Sequence, residues 1–185
     1  MKEEESLIQK AKEGDGNAFG ELYDAYQPRI YRFVFLKTGG KQDAEDITHQ
    51  VFLSAWQNMG KYEFQGFPFS SWLYRIASNA VIDHYRTKRD HRDIETVSEE
   101  IVAEMPDLET KLDTALELKV VRAALQKLED DQQSVLLMKF VDELSNKEIA
   151  EALGKNEGTI RVIQHRALKQ LKKQIDDERP RTATE

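Results

Sequence analysis

The sequence predicts an all-α protein built as two small helical domains joined by an acidic flexible linker. Apolar residues recur at gaps of three and four along most of the 185 residues, the signature of amphipathic helices. No stretch alternates with a period of two for long enough to make a strand. In the middle the helical pattern fades, and Asp93 to Leu118 carries nine acids against one base, Lys111. These observations set the boundaries at 1–92 for the front domain, 93–111 for the linker, 112–175 for the rear domain and 176–185 for a polar tail.

In the front domain, Phe19, Leu22, Tyr23, Tyr26, Ile30, Phe33 and Val34 mark one helical face between Ala18 and Leu36. Pro28 is expected to kink that helix or mark a junction, and Gly39-Gly40 to close it. A second helix is predicted from Gln42 to Met59, with Ala44, Ile47, Val51, Phe52, Ala55 and Trp56 at helical spacing. Gly60 to Pro68 reads as a loop. Ser70 or Ser71 is expected to cap a third helix that runs to about Tyr85 on Leu73, Ile76, Ala77, Ala80 and Val81. The segment after Asp93, with Pro106 and few aromatics, has the composition of a tether. Helices resume near Leu112, with Leu116, Val120, Ala123, Ala124 and Leu128 on one side, and again from Gln132 to Val141. Beyond Lys173 only polar residues follow.

Composition narrows the function. The hydrophobic fraction is 39% and the charged fraction 33%, with a net charge of -7, enough apolar residue for a packed core. There is no cysteine, so disulfides, thiolate metal sites and cysteine nucleophiles are excluded. His49, His84, His91 and His165 are scattered, and no glycine-rich phosphate loop is present, so neither an enzyme, a cofactor nor a metal site is expected. The N-terminus carries Glu3, Glu4 and Glu5 rather than a basic, apolar leader. No apolar run approaches the length of a membrane span, so a soluble cytoplasmic protein without membrane insertion is expected.

Two stretches run against the acidic balance. Leu73 to Arg92 holds Arg75, Arg86, Lys88, Arg89 and Arg92 against two acids. Lys155 to Lys173 holds six Lys and Arg against Glu157 alone. Local field rather than net charge governs contact with nucleic acid. Taken alone, each stretch reads as a solvated helix face.

The rear stretch does not stand alone. Ser145-Asn146-Lys147-Glu148 is a capping box that opens a short helix, and Gly154 ends it. Ala150, then Gly154 four residues on, then Ile160 six further, is helix-turn-helix spacing. Small Ala150 lets two helices cross closely, Gly154 takes the turn, and Ile149, Leu153, Ile160 and Ile163 fill the wedge. The second helix, from about Asn156, then exposes Thr159, Arg161, Val162, His165, Arg166 and Lys169 as a basic face suited to a major groove. In the front domain Tyr62, Phe64, Phe67, Phe69, Trp72 and Tyr74 crowd the loop ahead of Arg86, Lys88 and Arg89. Rings that stack on unpaired bases beside cations that hold phosphates make a single-strand site, although Phe69, Trp72 and Leu73 also read as core.

Three segments carry a family resemblance: DAEDITHQVFLSAWQ (Asp43 to Gln57), FSSWLYRIASNAVIDHYR (Phe69 to Arg86) and LSNKEIAEALGKNEGTIRVIQHRALKQLKK (Leu144 to Lys173). In that order they resemble a bacterial sigma-70 family RNA polymerase sigma factor of the short extracytoplasmic-function type, over about Ala18 to Lys173. The resemblance implies a region two that docks on core RNA polymerase, melts the promoter and reads the minus-ten element. It implies a region four that reads the minus-thirty-five element, and an anti-sigma factor as a further partner. Carried over, Asp43, Asp46, Gln50 and Phe52 match the polymerase-docking helix. Phe64 to Phe67 match the pocket for an everted base. Trp72, Arg75, Asn79 and Asp83 match the helix that meets the melted strand, which Arg86 extends. Arg161 and Arg166 match promoter-contacting positions of the recognition helix. His49 and Gln50 depart from the family's usual Gln followed by an acid. Val162 stands where Ser is common, and Gln164 where a core Leu or Ile is common. The alternative is a helix-turn-helix regulator with a helical dimerisation or sensor domain, which accounts for the rear half but not for the aromatic–basic loop.

Overall fold

A computed structural model describes residues 2–64, 66–90 and 120–178, and every regular element in them is helical. The expected linker at 93–111 and the helical restart at Leu112 and Leu116 lie outside the described residues. The first helix, α1 (Lys2–Lys12), is one that periodicity does not announce, because Leu7, Ile8 and Ala11 are its only apolar residues. Its ends fit a helix electrostatically, with Glu3, Glu4 and Glu5 in the first turn and Lys10 and Lys12 in the last.

α2 (Gly16–Thr38) starts at Asp15, whose carboxylate accepts from the backbone N–H of Asn17 and Ala18. No junction falls at Pro28, since the helix continues through that residue. Pro28 and Asp24, whose carbonyl loses its partner, are both exposed, so water can take the freed bond. Gly39 ends α2 in the left-handed region, φ 81°, with its N–H on the Phe35 carbonyl. α3 (Lys41–Asn58) follows, then one 3₁₀ turn, Met59–Lys61. α4 spans Phe69–Asp90 and so ends later than expected. Its start also corrects the expected serine cap. Ser71 already lies in the first turn, donating its N–H to the Pro68 carbonyl at 3.0 Å, and is 1% exposed. The helix begins at Phe69 because that ring is locked between Tyr62 and Trp72, with centroids 5.4 Å from each.

Residues 120–126 are helical, and three further helices complete the described chain: α5 (Asp130–Phe140), α6 (Asn146–Leu153) and α7 (Glu157–Glu178). α5 opens two residues before the predicted start, in a capping box of Glu129 with Gln132. The Ser145 capping box of α6 forms as expected. Glu148 donates its N–H to Ser145 Oγ at 3.2 Å and returns Oε2 to the Ser145 N–H at 2.6 Å. Gly154 turns the chain at φ 63°, and Asn156 Oδ1 accepts from the Thr159 N–H at 2.8 Å to start α7. α7 passes the expected stop at Lys173 and continues to Glu178.

In the front unit, α2, α3 and α4 pack on one another and α1 lies across α2. Phe33 and Tyr74, both buried, meet edge to face at 5.3 Å. In the rear unit α7 packs on α5 and α6, with Ile149 and Ile160 fully buried. The two units do not stand apart. α4 packs on α6 and α2 on α5, and one continuous apolar cluster runs from Leu22 and Phe33 to Val135 and Ile149.

The carboxylate of half-buried Asp142, in the turn after α5, is out of solvent beside the Tyr74 hydroxyl of α4, and neither polar group has an aligned hydrogen-bond partner. Burial raises the Asp142 carboxyl from 3.8 to about 6, against the pull of Tyr74, Arg32 and Arg29, and pushes the Tyr74 hydroxyl well above its usual range. The folded chain thus holds this proton more tightly than the unfolded chain. Its contribution to stability is complete below the ordinary carboxylate value and is lost as pH rises through about 6. Asp142→Asn is expected to flatten the fall in Tm between pH 4 and 7 and to raise Tm at pH 7. An unchanged pH profile would assign that slope to other groups.

Candidate nucleic-acid interface

α4 lays one row of side chains along its length: Trp72, Arg75, Asn79, Asp83 and Arg86, spaced three and four residues apart. Asn79, Asp83 and Arg86 are exposed, and Trp72 and Arg75 half-buried. Asp83 pairs with Arg86 at 3.0 Å on the open surface, a contact water and salt can exchange. At the N-terminal end of the row the aromatic residues divide into two roles. Tyr62, Phe69 and Tyr74 are buried and build the wall. Phe64 is 66% exposed, which leaves its ring available for stacking, whereas Phe67 is half-buried with the Lys147 ammonium 5.3 Å over its ring. Lys61, Tyr62, Phe67, Trp72, Arg75 and Glu151 line an open cleft at this end.

On α7, Thr159, Arg161, Val162, His165, Arg166 and Lys169 are all exposed, while Ile160 and Ala167 are buried and Ile163 half-buried. The helix therefore turns its whole predicted reading face outward, because its apolar side is committed to α5 and α6. Arg161 holds Glu157 one turn earlier at 2.6 Å, with both side chains largely in water.

The row on α3 divides differently. Asp46 and Gln50 are exposed on one face. Asp43 is half-buried and its carboxylate sits 3.5 Å from the His84 ring, tying α3 to α4. Phe52 is 4% exposed and meets Tyr23 edge to face at 4.7 Å. It corrects the expectation of a contact residue, since its ring belongs to the core that holds the helix. What the periodic reading passed over is Leu53, 49% exposed, while Trp56, which it placed on the apolar face, is 37% exposed and packed on Phe19. Leu53 lies seven residues after Asp46, off the buried stripe, and an apolar residue at a solvent position was the available signal.

Fold and surface together define a two-unit helical protein with a helix-turn-helix in its second unit. Sigma-70 region 2 matches residues 22–91, and Sigma-70 region 4 matches residues 118–171. The ECF RNA polymerase sigma factor SigW of Bacillus subtilis is 34% identical over 180 residues, covering 92% of this chain and 95% of SigW. The ECF RNA polymerase sigma factor BldN of Streptomyces coelicolor is 34% identical over 183 residues, 93% of this chain and 66% of BldN. Two solved structures share the fold. CnrH in complex with the cytosolic domain of CnrY gives a TM-score of 0.73 at 22% identity, over 96% of this chain and 99% of that one. The sigma factor RpoE in complex with the anti-sigma factor NepR from Bartonella quintana gives 0.69 at 24%, over 87% and 98%. This chain belongs to the sigma-70 family, among the ECF sigma factors.

Proposed function

We propose that the two surfaces of α4 and α7 read the minus-ten and minus-thirty-five elements of one promoter, and that α3 docks the chain on core RNA polymerase. As an ECF sigma factor the protein joins RNA polymerase and directs promoter-specific initiation of transcription. The observation that carries the residue-level reading is the exposure of two separate DNA-suited faces, one aromatic and basic and one basic. A helix-turn-helix regulator needs only the second. In the loop before α4, Phe64 and Phe67 stack on an everted base, while Trp72, Arg75, Asn79 and Arg86 of α4 follow the melted strand. On α7, Arg161, Val162 and His165 address base edges, and Arg166 and Lys169 lie toward the backbone. On α3, Asp46 and Gln50 with the apolar Leu53 form the docking face.

The role proposed is non-catalytic and cytoplasmic, with the chemistry supplied by the polymerase. No helix among the described residues is long and apolar enough to cross a membrane. An anti-sigma factor is proposed as a second partner, since the fold is shared with an RpoE solved together with one.

Run-off transcription with core polymerase and genomic fragments tests the reading. Specific transcripts are expected only when this protein is added. Asp46→Arg, on an exposed helix face where folding is untouched, is expected to weaken polymerase binding at least tenfold, about 1.4 kcal/mol. Unchanged affinity in a pull-down would remove α3 from the docking surface. Duplex binding by a free dimer, without polymerase, would favour the regulator reading instead.

A further inference from the structure

A second cleft adjoins the one that Phe67 and Arg75 line, and it lies between the last turns of α3 and the first turns of α4. Ser54 and Asn58 line it from α3, Trp72 and Ile76 from α4, and Lys61 and Tyr62 from the chain between the two helices. Lys61, Tyr62 and Trp72 are common to both clefts. On α4, Ser71 and Arg75 form one ridge and Trp72 and Ile76 the next, so the two clefts are immediate neighbours.

The wall they share is held by packing. Tyr62 is 6% exposed, and its ring lies 4.9 Å from that of Trp72. Phe69 braces both rings at 5.4 Å from each. Half-buried Trp72 therefore presents a fixed indole at the edge of the cleft. On the opposite wall, Asn58 donates Nδ2 to the Ser54 carbonyl at 2.8 Å, which steadies the amide. Its Oδ1 and remaining N–H are groups that pair with a base edge, and the Ser54 hydroxyl both donates and accepts.

Charge and size narrow the occupant. Among the described residues that line the second cleft, Lys61 is the one with charge and none is acidic, whereas the first cleft holds Glu63 and Glu151. A phosphate beside exposed Lys61 is attracted rather than repelled. The volume, 260 Å³, falls below the roughly 300–1,000 Å³ of small-molecule sites, so the cleft admits one heterocycle and leaves sugar and phosphate outside. An apolar side chain from a protein partner would leave the Asn58 amide and the Ser54 hydroxyl unpaired. A ring wall, an amide, a hydroxyl and an outlying lysine together suit an unstacked base.

We propose that this α3–α4 cleft takes a second unpaired base of the melted promoter strand, close along the strand to the base stacked at Phe64 and Phe67. The assignment rests on the function proposed above and extends it from one base pocket to two. Ser54 and Asn58 continue α3 past Asp46, Gln50 and Leu53, so one helix serves both polymerase docking and strand capture.

Holoenzyme made with the full-length chain tests the assignment on single-stranded oligonucleotides. These span the melted region of a promoter recovered by run-off transcription, and each carries one abasic nucleotide. At least two positions are expected to lose about tenfold in affinity when their base is removed. Phe64→Ala is expected to shrink that penalty at one of them only. Ser54→Tyr, which fills the second cleft from a half-buried position, is expected to remove the penalty at a different one. Asn58→Ala, a milder change at an exposed residue, is expected to shrink it at the same position as Ser54→Tyr. All three variants should keep their circular dichroism and their affinity for core polymerase. The second cleft is overturned if no position depends on Ser54→Tyr or Asn58→Ala, or if the dependent position is the one that Phe64→Ala alters; the function proposed above then still stands. If no promoter is recovered, or wild-type holoenzyme binds none of the oligonucleotides, that function falls and the cleft's assignment falls with it.

Discussion

Ile160→Ala is expected to cost about 2–5 kcal/mol of folding stability, among the largest effects of any single truncation in the second unit. Ile160 is fully buried, as is Ile149 on the helix that α7 crosses, and both belong to the continuous apolar cluster. Removing three carbons there loses their transfer free energy and leaves a cavity that two helices fixed by Gly154 cannot close. Ile163, half-buried on the same helix, has room to relax and should cost clearly less when changed to Ala. Denaturant unfolding of both variants reads the difference directly. A loss below about 1 kcal/mol for Ile160→Ala would mean that the wedge between α6 and α7 does not hold the unit together.

Arg161→Ala is expected to cost about 1–3 kcal/mol at one base pair of the minus-thirty-five element and to relax preference there. Arg161 stands in the second turn of α7, exposed, where its guanidinium can reach a guanine edge in bidentate fashion. In the free protein it is held by Glu157 at 2.6 Å. That surface pair contributes at most about 1 kcal/mol, so exchanging it for a base is inexpensive. Val162 beside it offers only methyl groups, which suits a thymine. Lys172→Ala is the contrast, because an exposed lysine four turns along should meet phosphate. It is expected to weaken all sequences alike and to reduce the salt slope by about one. Holoenzyme binding to a library of minus-thirty-five variants at several salt concentrations separates the two. An even loss across the library for Arg161→Ala would make that residue a phosphate clamp.

Much of the fold was legible because local rules dominated it. The Ser145 capping box, the Gly154 turn and the apolar positions of α7 are determined within a few residues of themselves, and all appear as read. The same is true of the Gly39 stop. α1 was missed because three apolar residues in eleven make a weak stripe, and its charge order at the two ends is a subtler signal. The serine cap failed for a tertiary reason: the Phe69 ring fills a slot between Tyr62 and Trp72, and that packing outweighs a favourable cap two residues later. Pro28 does not end the helix because its cost depends on whether water reaches the freed carbonyl, which is a matter of burial.

For the site the division is similar. Sequence alone determined which residue types lie on which helix, and so the basic face of α7, the aromatic loop before α4 and the acidic residues of α3. Periodicity assigns Phe52 and Leu53 to different faces, but only the packed neighbours decide which face is covered: Tyr23 buries Phe52, and nothing described covers Leu53. The joining of the two units was not readable at all. Lys37 follows an apolar run at a helix end, where a lysine is ordinarily a solvated cation that complements the helix dipole. Its burial depends on Asp130 and Ser134, more than ninety residues away in sequence. A contact of that range leaves no periodic trace in either segment, because each helix keeps the pattern it needs for its own unit. Tertiary structure alone decided that a surface charge became an interior one.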